Sequence, residues 1–348
     1  MLRRDIFAHI VVVGGGLILS GAAVSGGFHW LGLAALVLPL LAIVNLLYWK
    51  WPVFPYDCIL SARSEDGLHW VRDDVLRLDV GGKNNSCQVY YPDTVAVEGG
   101  LRMYYRGGSN NSVILSAFSE DGQTWREEQG QRLGGLPGLQ RLVSSEMVAL
   151  VNGFRLYFAA YDGISWRIFY SDSVDGLRWG EVTCCLDAGP NSDLPNVHGP
   201  SVVIDEGLYR MYFLRFSTTD SQFYTSTSID GRAWSAMERC TGCRGTDASF
   251  VRDPNVVPLA EGGWRMYFSE MPAASALDSC IVSAVSEDGL TWSREEGYRL
   301  EAGGVYDGQG VFCPEVVKDG DGWRMYYGGY WKKHWLAPYT IFCHRSNT

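Results

Sequence analysis

The sequence predicts an all-β domain built from five copies of one four-stranded unit, preceded by two transmembrane α-helices. Three observations predict this arrangement. The first fifty residues are almost without charge, a Ser-x-Asp-Gly-x-x-Trp phrase then occurs five times, and two further phrases keep the same spacing. The 348 residues include 13 Trp and 19 Tyr, which supply enough large side chains for a sizeable core. Such a composition excludes a disordered chain.

The N-terminal segment has the composition of a membrane hairpin. From Ile6 to Trp49, 44 residues contain no Asp, Glu, Lys or Arg, about twice the roughly 20 residues that one membrane-spanning helix needs. A Gly- and Ser-rich stretch in the middle favours a turn. We therefore predict a transmembrane hairpin over residues 1–50, with helices over about 6–24 and 31–49, and a linker over residues 51–56.

The charges around the hairpin predict its orientation. Arg3 and Arg4 precede it, Lys50 follows it, and the connecting turn contains neither Lys nor Arg. Because positive residues favour the cytoplasmic side, we predict a bacterial-type inner-membrane protein whose β domain lies in the cytoplasm. If only one helix spans, the domain lies on the periplasmic or extracellular side instead. Nine cysteines without disulfide-like spacing favour a reducing compartment.

The repeated phrase predicts the architecture of the β domain. Its five aspartates are separated by 55, 54, 55 and 58 residues, and phrases related to "PxVV" and "RMYY" recur at the same step. A fixed period of short strands and turns is typical of a solenoid or a propeller. Four antiparallel strands per unit predict a five-bladed β-propeller over residues 57–348. Strands near residues 58–80 are expected to complete the last blade, but "YTIFCHRS" near the C-terminus also has the pattern of a third strand, so the end that supplies each closing strand stays open. The repeat aspartates are Asp66, Asp121, Asp175, Asp230 and Asp288.

We interpret the repeated turn as structural. The Asp side chain can accept hydrogen bonds from backbone amides of the turn, and the Gly can take the left-handed conformation that other residues avoid. The Trp then begins the next strand, where it can pack between blades. Five symmetric copies favour architecture over catalysis, because an active site needs different residues in different blades.

Blades with these turns, and with Asp-Pro in an inner strand, resemble those of the five-bladed furanosidase clan of glycoside hydrolases, which includes arabinanases, β-xylosidases and invertases. The resemblance covers residues 57–348. It implies the propeller fold and an active site at the axis, where inner strands of that clan present an Asp base, a second Asp and a Glu acid, often within Glu-Gly-Pro. A pair of carboxyl groups across the scissile bond is what glycoside hydrolysis requires.

Five inner-strand residues of this sequence are the candidates for such a site. If the protein is an enzyme, Asp93 is the base. Glu146 or Asp253 is then the second carboxylate, and His198 or Glu315 is the acid. His198 stands before Gly-Pro, where the clan has its Glu, so the order departs from Asp, Asp, Glu. The candidates are Asp93, Glu146, His198, Asp253 and Glu315.

A structural interpretation of the same residues stands beside the catalytic one. The acids can cap inner strands, pair with Arg141 or Arg252, and hold water in the channel, because structural ion-pair networks also collect perturbed acids. Cys240 and Cys243 form a single Cys-x-x-Cys pair, and a structural zinc site would need two more ligands. We therefore predict free cysteines, no metal and no cofactor.

Two functions from different classes follow. The favoured prediction is a non-catalytic, glycosidase-like propeller that acts as a scaffold or accessory subunit of a larger membrane complex, of respiratory or photosynthetic type, with membrane subunits and the lipid bilayer as partners. The alternative is a membrane-anchored glycoside hydrolase acting on furanosides or related sugars, and only then is a small sugar a ligand. The net charge of −10 argues against nucleic acid as a partner.

Geometry distinguishes the two functions. Two axial carboxyl groups about 5–9 Å apart across an open pocket favour the enzyme. Carboxyls neutralised by arginine, or a channel plugged by Tyr90, Tyr91 or Phe312, favour the scaffold.

Overall fold

The computed structural model describes residues 56–80, 88–108, 113–189, 191–244, 250–271 and 278–331. The predicted hairpin over residues 1–50, and the linker apart from its last residue, lie outside this part of the chain. Within the described residues there is no helix with the length and apolar character needed to cross a bilayer. All described residues belong to one compact unit, Pro55–Thr348.

The described strands form five antiparallel sheets arranged as the blades of a propeller, which confirms the predicted all-β, five-bladed fold. The strands before blade 1 are β1 (Tyr56–Ser64), β2 (Val71–Arg72) and β3 (Leu78–Asp79). Blade 1 holds β4 (Tyr90–Val97), β5 (Gly100–Gly107), β6 (Val113–Ser119) and β7 (Arg126–Glu127). Blade 2 holds β8 (Arg141–Leu150), β9 (Gly153–Tyr161), β10 (Trp166–Ser173) and β11 (Thr183–Leu186).

The remaining blades repeat this order. Blade 3 holds β12 (Asn196–Asp205), β13 (Leu208–Phe216), β14 (Ser221–Ser228) and β15 (Glu238–Arg239). Blade 4 holds β16 (Phe250–Pro258), β17 (Trp264–Met271), β18 (Cys280–Ser286) and β19 (Ser293–Arg294). Blade 5 begins with β20 (Gly310–Asp319) and β21 (Gly322–Trp331) and takes its outer strands β1 and β2 from the other end of the domain, with β3 also paired to β1.

The second strand of each blade is buried on both faces, because each blade packs against a blade on either side. Its "RMYY"-type phrase reads as a continuous apolar run rather than an alternating one. The first apolar residue of the phrase is fully buried in every blade, and so is the aromatic residue after it. These pairs are Met103–Tyr104, Leu156–Tyr157, Met211–Tyr212, Met266–Tyr267 and Met325–Tyr326.

The two repeated phrases contact each other between blades. In blade 2, the Tyr157 hydroxyl donates a hydrogen bond of 2.6 Å to the carbonyl of Gly231 in the turn of blade 3. The Arg155 guanidinium donates to the carbonyl of Asp230 in the same turn. Trp234, at the end of that turn, packs edge-on against the Tyr157 ring with centroids 5.8 Å apart. Equivalent Tyr-to-turn hydrogen bonds join blade 1 to 2, 4 to 5 and 5 to 1.

The repeat aspartates stabilise the turns themselves. In the first copy, Asp66 Oδ1 accepts hydrogen bonds of 2.8 Å from the backbone amides of Leu68 and His69. Asp121, Asp175, Asp230 and Asp288 accept the same pair of amide bonds in their own turns. These bonds hold the pKa of each carboxyl below its ordinary value.

Candidate axial site

A β-bulge divides every inner strand at the same point. The pairing of each inner strand with its neighbour shifts register there. In each bulge one residue has a positive φ, between 49° and 63°. Four of these five residues are not glycine, and such backbone strain is found preferentially at functional sites. The five are Tyr91, Ser144, Gly199, Asp253 and Cys313.

The side chains two positions after the bulge residue form a belt of hydrogen bonds around the axis. Each belt side chain accepts a hydrogen bond from a backbone amide of the next blade, and the donor is the residue that follows that blade's own belt residue. Examples are Val202 N to Glu146 Oε1 at 2.7 Å and Thr94 N to Glu315 Oε1 at 3.0 Å. The belt residues are Asp93, Glu146, Ser201, Asn255 and Glu315.

Three carboxyl groups meet inside this belt. Asp93, Glu146 and Glu315 each offer an oxygen within 4.8 Å of the others. Burial and the neighbouring carboxyls raise the pKa values of Asp93 and Glu146 well above their ordinary range, and burial raises the pKa of Glu315 to about 7. The group therefore retains protons at neutral pH. The cavity lined by Glu146 and Glu315 is only about 30 Å³, which admits a water molecule or a small ion and excludes a sugar.

A much larger cavity, of about 590 Å³, lies on the other side of the bulges. Tyr91 and Asp253 line both cavities and therefore mark the boundary between them. Six aromatic residues are among those that line the large cavity, and sites for small organic ligands commonly contain such side chains. The rings of Phe312 and Tyr330 are stacked, with centroids 4.1 Å apart. The other aromatic residues of this wall are Tyr90, Trp166 and Phe216.

Asp253 is the one carboxyl-bearing residue that lines the large cavity within the described part of the chain. It is 8% exposed; Oδ2 accepts a hydrogen bond from the Ser269 hydroxyl, and Oδ1 has no hydrogen-bond partner among the described residues. Burial raises the pKa of Asp253, and the positive charge of Arg252 opposes part of the rise. A buried carboxyl with a raised pKa in the wall of a cavity is suited to donate a proton to a ligand.

His198 lies beside this carboxyl in the wall of the cavity. Its ring is surrounded by Tyr91, Trp166 and Phe216 at centroid distances of 5.7, 5.5 and 6.1 Å. The Ser144 hydroxyl is 3.3 Å from its ring nitrogens. Burial, followed by the charges of nearby arginines, lowers the pKa of His198 to about 3. The imidazole is therefore neutral at pH 7 and forms hydrogen bonds there without carrying a proton to donate as imidazolium.

The large cavity also contains three arginines, Arg106, Arg141 and Arg252. The Arg106 guanidinium lies over the Tyr90 ring, 4.7 Å from its centroid. The sequence allowed the axial acids to pair with Arg141 or Arg252, but no salt bridge of either residue occurs within the described segments. The cavity is therefore rich in positive charge.

The structure corrects the expectation that the five candidates occupy matching positions. His198 stands one residue before the bulge residue, Asp253 is the bulge residue itself, and Asp93, Glu146 and Glu315 belong to the belt. Aligning the inner strands on their prolines would have distinguished these three positions, because a proline follows the bulge residue in four of the five blades. Trp166 and Phe216 were not identified from the sequence, since they lie at the start of β10 and at the end of β13, which no repeated phrase marks.

Close carboxyl groups and an open pocket both occur along the axis, but at different depths. The belt carboxyls are close together but lie behind Tyr91 in a space too small for a sugar. The three aromatic residues whose plugging of the channel would have favoured the scaffold, Tyr90, Tyr91 and Phe312, line an accessible cavity on the other side. A two-carboxylate hydrolytic site therefore does not form from the described residues of the cavity, although the cavity has the volume of a small-ligand site.

Cys240 and Cys243 lie away from the axis. Both are 4% exposed and belong to the core between blades 3 and 4, with Trp292 and Phe268. Burial raises the pKa of the Cys240 thiol to about 12. Both are free cysteines in the structure.

Sequence comparisons give limited information about this chain. No family model matches it. Two uncharacterized proteins of Mycobacterium tuberculosis are each 38% identical to it, over 69 and 71 residues. These matches cover 20% of this chain and 23% of each relative, so the chain spans about a quarter of the length of the curated relatives it matches.

Structural comparisons show the fold. A thermostable family-43 glycoside hydrolase superposes with a TM-score of 0.56 at 18% identity, covering 71% of this chain and 90% of that one. An N-acetylgalactosamine deacetylase from F. plautii, in complex with blood group B trisaccharide, gives 0.58 at 15% identity, with 71% and 91% covered. A β-1,2-mannobiose phosphorylase from Listeria innocua gives 0.59 at 14% identity, with 78% and 96% covered. The chain is thus a five-bladed propeller of the kind found in glycoside hydrolases.

Proposed function

We propose that the large axial cavity is a carbohydrate-active site in which Asp253 donates a proton to the leaving oxygen of a glycosidic bond. One observation carries the proposal: a single buried carboxyl-bearing residue, Asp253, lines a cavity of about 590 Å³. That volume suits a ligand of one or a few sugar rings. The aromatic wall offers flat apolar faces against which such rings can pack.

The neighbouring structures support a sugar ligand without selecting a reaction. They include a glycoside hydrolase, a deacetylase and a phosphorylase, and the deacetylase is in complex with a trisaccharide. One propeller fold therefore carries several chemistries on sugars, and the reaction follows from the residues of each site. In this chain the described cavity residues supply one carboxylic acid and no second carboxylate that could activate water or attack the sugar. We infer that the group that accepts the sugar comes from the substrates and not from the protein.

The scaffold role in a membrane complex has no supporting observation among the described residues. It depends on the N-terminal segment, which lies outside them, and the membrane anchor remains a proposal. An anchor and a sugar-active propeller are compatible, since the first determines only where the second works. The axial cavity favours the catalytic proposal, because a purely structural channel would not need a buried acid with a raised pKa in the wall of a large cavity.

The proposal is tested with the full-length chain in mild detergent on a panel of glycans, first for binding and then for turnover of those that bind. We expect Asp253→Asn to lower turnover by roughly 10²–10⁴-fold, because the amide keeps the shape of the carboxyl but cannot donate its proton. Binding should change little. Turnover of the native chain should also fall as the pH rises through the raised pKa of Asp253, because the acid must be protonated.

The matched control is Asp220→Asn. Asp220 is a partly exposed carboxyl that pairs with Arg244 and does not line the cavity. It should leave both binding and turnover unchanged. Native turnover in Asp253→Asn, or the absence of binding to every glycan of the panel, would count against the proposal.

A further inference from the structure

The axial cavity is lined by positive side chains, although the protein as a whole is negatively charged. The chain carries a net charge of −10, yet three arginines and one acid line the large cavity. The arginines are close enough to influence one another: burial, and the like charge of Arg141, lower the pKa of Arg106 to about 10. The charge of Arg252 also helps to lower the pKa of His198. Gathering like charges in one cavity is unfavourable unless an anion completes it.

Several arginines elsewhere in the propeller form bidentate pairs with carboxylates, which two of these three do not. Arg155 makes a two-pronged contact with Asp172, at 2.6 and 2.9 Å, and Arg265 does the same with Glu295. By contrast, Arg141 and Arg252 make no side-chain hydrogen bond or ion pair within the described part of the chain. Their exposed guanidiniums line the cavity with their donors available. A planar guanidinium with free donors is suited to bind an oxyanion through two parallel hydrogen bonds.

We propose that Arg141 and Arg252, with Arg106 beside them, form an oxyanion subsite next to Asp253, and that its ligand is a phosphate group. Phosphate offers several acceptor oxygens and a double charge, which matches more than one guanidinium better than a single carboxylate does. The group has two sources: free inorganic phosphate, or a phosphoryl group on the sugar. The proposal rests on the proposed function only for the sugar that lies beside the anion.

Free phosphate would also supply the acceptor that the cavity lacks. In such a reaction a phosphate oxygen forms a bond to the anomeric carbon while the glycosidic carbon–oxygen bond breaks. Asp253 gives its proton to the leaving oxygen, and the proton lost by hydrogen phosphate restores the acid. A glycoside and hydrogen phosphate thus become a sugar phosphate and an alcohol, with atoms and charge balanced. The reaction needs one carboxylic acid, which is the number that the described cavity provides.

The first experiment measures binding of inorganic phosphate to the full-length chain by calorimetry and by the shift of the thermal midpoint, with chloride at equal ionic strength as the reference. We expect saturable binding that Arg141→Gln/Arg252→Gln weakens at least roughly tenfold, since two charge-assisted contacts are lost. The matched control is Arg126→Gln/Arg239→Gln, which removes the same charge from exposed outer strands. The control should bind phosphate like the native chain.

A second arm distinguishes the sources of the group. Tighter binding of sugar phosphates than of inorganic phosphate identifies a phosphoryl-sugar substrate, whereas phosphate-dependent cleavage of a glycan identifies free phosphate as the acceptor. Either result supports the subsite. The inference is overturned if neither inorganic phosphate nor a sugar phosphate binds beyond the chloride reference, or if the cavity double variant binds as tightly as the native chain. Phosphate binding without glycan turnover would contradict the proposed function and leave the subsite standing.

Discussion

Asp93 and Asp253 are both buried acids on inner strands, and their position relative to one bulge separates their roles. Asp253 is the bulge residue and faces a cavity that admits a ligand. Asp93 lies two positions beyond the corresponding residue, Tyr91, and its carboxyl accepts a hydrogen bond from a backbone amide of the next blade. A belt acid forms a hydrogen bond between blades, whereas the acid at the bulge lines the cavity and can contact a ligand.

The belt predicts that the propeller is less stable in base than in weak acid. The carboxyl pKa values of the belt are raised on folding, so the stabilisation they provide is complete below the unfolded value near 4.5 and is lost as pH rises through the folded value, which is about 7 for Glu315. Glu146→Gln should reduce this loss. The amide oxygen can still accept from Val202, and its NH₂ group can donate to the neighbouring carboxyls.

The expected gain is on the order of 1–3 kcal/mol at pH 8 relative to the native chain, because removing one charge relieves the repulsion in the cluster. Denaturant unfolding at pH 5 and pH 8 measures it. The control is Glu238→Gln on an exposed outer strand. Its free energy of unfolding should fall between pH 5 and pH 8 by as much as that of the native chain. If Glu146→Gln loses as much stability between the two pH values as the native chain does, the carboxyls are not repelling one another.

At the scale of the element, the repeated turn and the "RMYY" phrase are two halves of one contact. A Cβ added to Gly231 would lie 2.6 Å from the Tyr157 hydroxyl and 2.8 Å from the Arg155 guanidinium, and its φ is +67°. We therefore expect Gly231→Ala to destabilise the protein by about 2–4 kcal/mol, from the left-handed backbone together with the lost interblade bond. Thermal and denaturant unfolding measure the change.

Gly207→Ala separates the two causes. Gly207 has a φ of +84° in an exposed hairpin, and an added Cβ would meet nothing within 4 Å. In this variant only backbone strain should lower the free energy of unfolding, by about 1 kcal/mol. Equal losses in the two variants would mean that the contact with Tyr157 contributes nothing.

The sequence predicted the elements better than it predicted the site, for a physical reason. Every blade needs the same turn and the same interblade contact, so the five copies of each phrase reveal the period, the strand count and the partners of the turn. The cavity has no such repetition. Arg141 and Arg252 precede the bulges, where each blade carries a different residue, and Trp166 begins the third strand of blade 2. Only the fold brings the three together. The prolines do mark the bulge, and they are the signal that would have ranked Asp253 apart from Asp93.

At the scale of the whole molecule, the ring closes by joining the two ends of the domain within blade 5. Strand β1 pairs with β21 along its whole length, from Tyr56 opposite Trp331 to Ser64 opposite Trp323. Its residues Ile59 and Leu60 are almost completely buried. The axial cavity depends on this closure, since Phe312 and Tyr330 of the same blade form part of its wall.

We therefore expect a chain that begins at Glu65, and so lacks β1, not to fold into the propeller. Burial of Ile59 and Leu60 contributes about 2 kcal/mol each, and the lost ladder bonds about 1 kcal/mol each, which together reach the 5–15 kcal/mol of a typical domain. A chain that begins at Pro55 keeps β1 and is the matched control, expected to show a cooperative unfolding transition. Far-ultraviolet circular dichroism and size-exclusion chromatography compare the two chains. A compact, cooperatively unfolding chain from Glu65 would show that four blades and half of the fifth suffice, and that the ends of the domain do not need to meet for the cavity to form.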